Sequence, residues 1–384
     1  MQLSSKSKGV LGVLALITLA GVGCWCYQLA NGLGVTGMSN VNSWGAYICM
    51  FMLFVGLSAG GLIVASSAHV FGIEDFKRIS MPAVILSTVC ICVAGVLILI
   101  DMGGIQRVWR LFTGPNFTSP LIWDVCIITA YLVINILDLV WMSRGQEEKV
   151  RKLSYVALPV AILVHSVTAW IFGLQIARAW YTAIMAPIFV ASALDSGLAL
   201  LILALLGLRA AGIFNVEQGL LSKLARLLAV FICVDAFFVG CELLTMGYPG
   251  AGEANALAIM TSGVTAPYFW FELVGGLLIP FLLLASAKRR ESMGIVACAS
   301  ALVVLGVACK RIWLLFTSFV QPNVFGGPGI TLGTAQAAND PVFENVWAII
   351  GSYAPTLPEL VIICGVIALG VIAFYLLAQK LCTK

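Results

Sequence analysis

Ten stretches of mostly apolar residues, each long enough to form twenty or more residues of helix, follow one another along the chain with short polar connections between them. They lie at about 9–30, 44–71, 81–103, 120–142, 153–176, 183–208, 224–246, 265–287, 294–317 and 357–379. A bilayer core of about 30 Å needs roughly 20 apolar residues of helix. Runs of this length show no period of two, so they predict helices rather than the strands of a membrane barrel. The pattern therefore predicts an all-α integral membrane protein of about ten transmembrane helices.

Composition sharpens this picture. Of the 384 residues, 61% are hydrophobic and 10% charged, against roughly 25% charged in an ordinary soluble domain. Mean hydropathy is +1.06. No stretch reads as a soluble domain, so a catalytic head belongs on another chain. The net charge of +4 is not gathered on one face, which excludes the electrostatic footprint of a nucleic-acid binder. Lys6 and Lys8 precede the first apolar run as in a signal peptide, and the run is read as an uncleaved first helix.

Lys and Arg cluster between the apolar runs and set an orientation. With both termini in the cytoplasm, all but five of the 21 basic residues fall on the cytoplasmic side. The five exceptions are Arg107, Arg110, Arg178, Lys310 and Arg311. They oppose the topological preference, so something on the outer side must hold them. The outer connections 104–119, 247–264 and 318–356 are long and rich in Gly, Pro and Asn. Long ordered loops carry function more often than short ones, which makes the outer surface the expected docking face.

An ionisable group at the bilayer centre costs at least ~2.5–3.5 kcal/mol, and is a functional candidate by default. Asp101, Asp124, Glu242, Glu272 and Glu359 fall near the outer helix ends, and Asp195 and Asp235 nearer mid-membrane. Asp138 lies toward the cytoplasmic end of the fourth run. Each serves equally well as half of a structural ion pair or as part of a polar site with a proton path leading inward. Only two histidines are present, His69 and His165, at different depths. A dihaem site needs four axial histidines, so if this chain handles electrons it is expected to do so without haem or metal of its own. The 12 cysteines contain no CxxC spacing and read as small buried hydrophobes. The small residues Gly56–Gly61 and Ser66–Ala68 suit close helix packing or a flat ligand. No phosphate-binding loop is present.

In order and spacing, several motifs resemble one family. They are Trp44-Gly45-Ala46-Tyr47 leading to Gly56-Leu57-Ser58-Ala59-Gly60-Gly61, then Asp101-Met102-Gly103-Gly104 with Arg107 and Trp109. Pro115-Asn116 and Ser119-Pro120-Leu121-Ile122-Trp123-Asp124 follow, then His165-Ser166-Val167-Thr168-Ala169-Trp170 with Arg178 and Trp180. Glu272 with Gly275-Gly276, Lys310-Arg311 and Tyr353-Ala354-Pro355-Thr356-Leu357-Pro358-Glu359 complete the set. From about residue 44 to 360 the chain resembles the NrfD/PsrC family of polysulfide reductase membrane subunits.

The resemblance implies two four-helix bundles, helices 2–5 and helices 6–9, with helices 1 and 10 peripheral. The corresponding segments are 1–43, 44–180, 181–320 and 321–384. It implies a haem-free membrane subunit of a respiratory oxidoreductase complex in the cytoplasmic membrane of a prokaryote. That subunit exchanges electrons between menaquinone, or another quinone, and an extracytoplasmic ferredoxin-like partner carrying [4Fe–4S] clusters. The partner in turn serves a molybdopterin or cytochrome catalytic subunit. The implied quinone site lies near the outer face of the first bundle. His165, Asp101 and Asp124 are its candidate proton acceptors, and Tyr47, Gly60, Arg107, His165 and Arg178 its candidate quinone contacts. Asp195, Asp235, Glu242 and Glu272 form the candidate proton path. Two other readings compete: a secondary proton or cation transporter, and a passive anchor for an iron–sulfur or molybdopterin enzyme.

Overall fold

The computed structural model describes residues 5–39, 42–176, 178–248, 253–320 and 353–382. The outer connection 318–356 expected to carry function lies largely outside these residues. The described chain is all helical, with ten helices long and apolar enough to cross a membrane. They are α1 (Ser5–Asn31), α2 (Ala46–Val70), α3 (Ser80–Asp101), α4 (Pro120–Ser143), α5 (Glu147–Gly173), α6 (Met185–Ala210), α7 (Gln218–Gly247), α8 (Ala266–Ala285), α9 (Met293–Val320) and α10 (Leu357–Leu381). This is a multi-pass membrane protein.

Local sequence explains where the helices begin and end. Pro120 opens α4 directly after Ser119, a position where its missing N–H costs nothing. A reciprocal pair between Thr356 and Glu359 caps α10. At the other face, α4 and α6 stop at Gly145 and Gly212, both with positive φ. The amides of Gln146 and Ile213 bond back to Trp141 and Leu208, the geometry that a left-handed glycine permits. The helices α5 and α7 each start about six residues before their apolar runs. Their first turns are charged or polar, so hydropathy alone does not find them.

Alternation places the connections α1–α2, α3–α4, α5–α6, α7–α8 and α9–α10 on one face, the loop-rich face. The connections α2–α3, α4–α5, α6–α7 and α8–α9 lie on the opposite, basic face. Helices α2, α3, α4 and α5 pack in a ring, and so do α6, α7, α8 and α9. The rings join where α2 meets α6 and α9 and where α5 meets α6. Helix α1 lies on α10, which packs on α3.

Three glycine pairs set the closest crossings. A Cβ on Gly60 would stand 2.3 Å from the Gly197 Cα between the two rings. The same construction gives 2.6 Å from Gly276 to Gly306 and 2.8 Å from Gly21 to Gly365. Without a hydrophobic drive between helices in lipid, such close backbone approach supplies the van der Waals contact that associates them. Gly60, an expected quinone contact, has the α6 backbone at Gly197 in the direction a side chain would take.

Helix α8 changes winding over Phe271–Leu278, where it is a π-helix, just before Pro280. Such segments are rare and recur at functional sites. Glu272 lies in this one.

Gly60→Leu or Gly197→Leu should separate the two rings, lowering the detergent melting temperature and the yield of folded protein. Overpacking costs typically ~1–3 kcal/mol, and a clash with backbone belongs at or above that range. Gly207→Leu, with open space around its Cα, should melt like the parent.

Candidate functional site

Buried polar side chains gather in three places. The first is the loop-rich end of α1, α2, α3 and α10. Tyr47 donates its hydroxyl hydrogen to Gln28 Oε1 (2.7 Å), and Gln28 Nε2 donates to the Ile100 carbonyl (3.2 Å). Next along the chain, Asp101 keeps a buried Oδ1 without a hydrogen-bond partner. Glu359 accepts from the amides of Gly37 and Thr356 (both 2.8 Å) and from the Tyr353 hydroxyl (2.7 Å). Burial, followed by the bond to Glu359, holds the Tyr353 hydroxyl well above its ordinary range. Arg107 lies against Gly104. An apolar cleft runs down from this layer between α1, α3 and α10, lined by Trp25, Ile100, Ile105 and Ile362 among others. Its apolar walls suit a cofactor ring or tail.

The second place is inside the first ring. The Thr168 hydroxyl donates to Asp124 Oδ1 (2.6 Å) between α5 and α4. One turn away on α5, His165 is 2% exposed. Its Nδ1 is 3.2 Å from the Ala161 carbonyl, and its Nε2 has no hydrogen-bond partner.

The third place holds most of the charge. Lys310 Nζ donates to both oxygens of Asp235 (2.9 and 3.0 Å) and pairs with Glu272 at 3.1 Å. Trp313 Nε1 donates to the other Glu272 oxygen (2.5 Å). These groups join α7, α8 and α9. The next residue, Arg311, points the other way. It donates to Ser192 Oγ on α6 (2.7 Å) and stacks on Phe189 at 3.9 Å. Its Nε and Nη1 are fully buried and unpaired, and Gly56 of α2 lies beside it. Asp195 is buried nearby with neither oxygen hydrogen-bonded. Three carboxyls thus face two cations, and the cluster is electrically neutral only when the carboxyls share one proton.

An aromatic belt closes the loop-rich side of the ring junction. Trp44 stacks on Trp180, and Phe172 meets both edge-on. Arg178 covers Phe319 at 4.9 Å, and partial burial lowers its proton affinity, a shift that leaves a guanidinium charged. Beyond Trp180, a second, narrow cavity opens between α6, α7 and α9, lined by Lys310 and Glu242 among others.

Comparison with known proteins agrees with this architecture. The profile described as "Polysulphide reductase, NrfD" matches residues 34–323. The chain belongs to the NrfD family. A Halobacterium salinarum protein described as a membrane subunit of dimethyl sulfoxide reductase is 36% identical, covering 94% of this chain and 88% of that one. The "Hdr-like menaquinol oxidoreductase integral membrane subunit" of Archaeoglobus fulgidus is 28% identical, over 94% and 90%. A selenate reductase subunit of Mesobacillus selenatarsenatis is 26% identical, over 96% and 92%.

Within this NrfD-family chain the candidate residues separate by place. Tyr47, Asp101 and Arg107 stand at the loop-rich end near the α1–α3–α10 cleft. Asp124 and His165 share the interior of the first ring, and Arg178 belongs to the aromatic belt. Asp235 and Glu272 meet on Lys310 with Asp195 close by. Glu242 stands apart, accepting from the Thr182 hydroxyl (3.1 Å). Sequence reasoning singled out Lys310 and Arg311 as basic residues that something must hold, without naming what holds them, and missed Thr168 and Trp313 as site residues.

Lys310→Met should leave Asp235 and Glu272 buried without a cation. Removing one partner of a buried pair costs ~3–5 kcal/mol, so the melting temperature should fall sharply. Adding Asp235→Leu and Glu272→Leu to Lys310→Met should recover much of it. A Lys310→Met variant melting with the parent would show that the pair holds nothing together.

Proposed function

We propose that this chain is the quinone-reactive, haem-free membrane subunit of a respiratory oxidoreductase complex, passing electrons between a membrane quinone and an iron–sulfur partner. The observation that carries this reading is the loop-rich end of α1, α2, α3 and α10. The buried Asp101 Oδ1 there has no hydrogen-bond partner in the protein, and an apolar cleft lined by the preceding residue, Ile100, opens between α1, α3 and α10. A quinone needs an apolar slot for its tail and ring, and polar groups at its two oxygens. The residues present fit it. The relatives named above as a menaquinol oxidoreductase subunit and as reductase subunits support the same chemistry.

A quinone bound there supplies two-electron, two-proton redox chemistry. The protein's own residues have separate tasks. Asp101 exchanges a proton, since its free oxygen has no other bond to break. Tyr47 and Gln28 fix the neighbouring backbone, and Arg107 and Arg178 offset negative charge in the layer. Thr168 holds Asp124 in one orientation. The belt of Trp44, Phe172 and Trp180 excludes water. His69 bonds the Ala65 carbonyl (2.9 Å) near the basic end of α2, far along the membrane from His165, so the two do not form an axial pair for haem.

Basic residues at the opposite helix ends support a cytoplasmic basic face, with both termini there. The loop-rich face then meets the extracytoplasmic iron–sulfur subunit. Trp109, Phe112 and Phe117 are exposed on it, with Arg110 beside Trp109, a composition typical of interface cores. That partner would connect to a molybdopterin or cytochrome catalytic chain.

The test is quinol turnover by the purified complex, with lipid extraction for bound quinone. Asp101→Asn should lower turnover ~10²-fold or more, the usual contribution of a positioned acid or base, while the complex stays assembled. Asp75→Asn, on the basic face, should leave turnover intact. Normal turnover in both Asp101→Asn and His165→Ala, with no quinone co-purifying, would overturn the reading and favour a secondary carrier.

A further inference from the structure

The cleft between α1, α3 and α10 has two unlike sides. Its inner wall is closed, with Ile100, Ile362 and Val366 all buried. Its rim is open to the membrane, where Val22 and Leu369 are 48% and 47% exposed and Val96 stands beside them on α3. Gly21 and Gly365 line it as well, at the crossing of α1 and α10, where neither has a side chain to fill the space. Along α10 the lining runs from Ile362 to Leu369, and along α1 from Trp25 back to Thr18. Either stretch is about 10 Å long, the loop-rich third of a bilayer core of about 30 Å.

No lining side chain carries a charge. Thr18 supplies the one hydroxyl, and it is already used on the carbonyls of Leu14 (2.9 Å) and Gly365 (3.4 Å). A hydrocarbon chain is the occupant such walls favour. Straight acyl chains of phospholipids and branched isoprenoid chains both qualify, and the loop-rich end decides between them. Two carboxyls stand there. Asp101 follows Ile100, and Glu359 lies one turn before Ile362. Glu359 is fully buried and bonded only to the Gly37 and Thr356 amides and the Tyr353 hydroxyl among the described residues. The cation of this end, Arg107, lies against Gly104. A phospholipid in the cleft would bring its phosphate toward carboxylates in a medium of low dielectric constant, where like charges repel most. A neutral head with polar oxygens meets no such penalty, and it finds Asp101 Oδ1 without a partner.

We propose that the α1–α3–α10 cleft is an isoprenoid-tail site, which admits neutral-headed lipids sideways from the bilayer and turns phospholipids away at its carboxyl-lined end. The site deepens the quinone reading and rests on it for the identity of the head group. It gives the two peripheral helices a task, since without α1 and α10 the Val96–Ile100 face of α3 would meet bulk lipid. A tail held over about 10 Å confines its head to the layer around Asp101, so tail binding serves orientation. Val96 and Leu369, on opposite sides of the rim, set the width of the entrance and are specificity-determining.

Two measurements test the proposal. The first uses no quinone. The purified complex, in nanodiscs containing phosphatidylglycerol, is irradiated with a geranylgeraniol analogue that carries a diazirine on its tail, and labelled peptides are mapped by mass spectrometry. Segments 96–105 and 362–369 should take up label well above the lipid-facing stretch of α4 around Val133. Val96→Trp combined with Leu369→Trp should cut that labelling about tenfold, the loss expected when two or so buried CH₂ contacts are displaced. The melting temperature should stay near wild type, because both side chains lie on the open rim. Equal labelling of the cleft and of α4 would overturn the site. So would equal cleft labelling by a phosphatidylglycerol with the diazirine on its acyl chain. The second measurement is quinol turnover by the same complex. The double variant should raise KM about tenfold for a menaquinol with a long isoprenoid tail, while KM for a tailless naphthoquinol and kcat for both stay unchanged. An unchanged KM for the tailed quinol, or an equal rise for both, would overturn the tail assignment. No turnover of either quinol by the wild type, with cleft labelling intact, would sink the quinone reading alone and leave the cleft as a site for another neutral isoprenoid lipid.

Discussion

Two adjacent cations on α9 hold this molecule together from the inside. Lys310 and Arg311 are both buried, 1% and 0% exposed, and adjacent helix positions point about 100° apart. Lys310 therefore reaches into the second ring, where Asp235 and Glu272 close around it, and Arg311 reaches the ring junction, where Ser192, Phe189 and Gly56 receive it. A charge in this setting is tolerated only when paired and hydrogen-bonded. The carboxylates of α7 and α8, the serine of α6 and the glycine of α2 are consequences of that requirement. So is the local π winding of α8, which sets Glu272 facing both Lys310 and Trp313.

The same constraint explains why glycine recurs where the rings meet. Gly60 against Gly197 brings α2 and α6 into backbone contact, and Gly56, one turn earlier, leaves room for the Arg311 guanidinium. A side chain at Gly60 or Gly197 would meet the backbone of the facing helix and push the rings apart. Packing and electrostatics here are one arrangement: close approach puts the donor within reach, and the buried donor penalises any looser approach.

Hydropathy alone delimited nearly all of the fold. Ten apolar runs became ten helices, and most ends fell within a few residues of expectation because Gly and Pro mark them. The exceptions are α5 and α7, which begin before their apolar runs, α5 on a charged turn at Glu147–Lys149 and α7 on a segment interrupted by Gln218, Ser222 and Lys223. The candidate site was less legible. Asp124, His165, Asp235 and Glu272 stand out in sequence because a charge in an apolar run is rare, yet their partners do not. Thr168 and Ser58 look like ordinary small helix residues until a neighbouring helix supplies Asp124 or Tyr131. Gly60 shows the converse. A small residue marks close approach, but sequence does not say whether a ligand or another helix approaches.

The two rings carry different kinds of polarity, and that difference is the strongest structural argument about how labour is divided. The second ring concentrates formal charge in one cluster, in which Lys310, Asp235, Glu272 and Trp313 are held together by contacts of 2.5–3.1 Å. Moving a proton through it means separating an ion pair in a medium of low dielectric constant, where Coulomb attraction is strongest. The first ring spreads its polarity along the membrane normal in the hydroxyls of Tyr131, Ser58 and Ser87, the amide of Asn135 and the imidazole of His165, with the carboxyls of Asp124 and Asp138 only at the two ends. The paired charges thus stand in the second ring and at the ring junction, and the neutral hydrogen-bonding groups in the first ring.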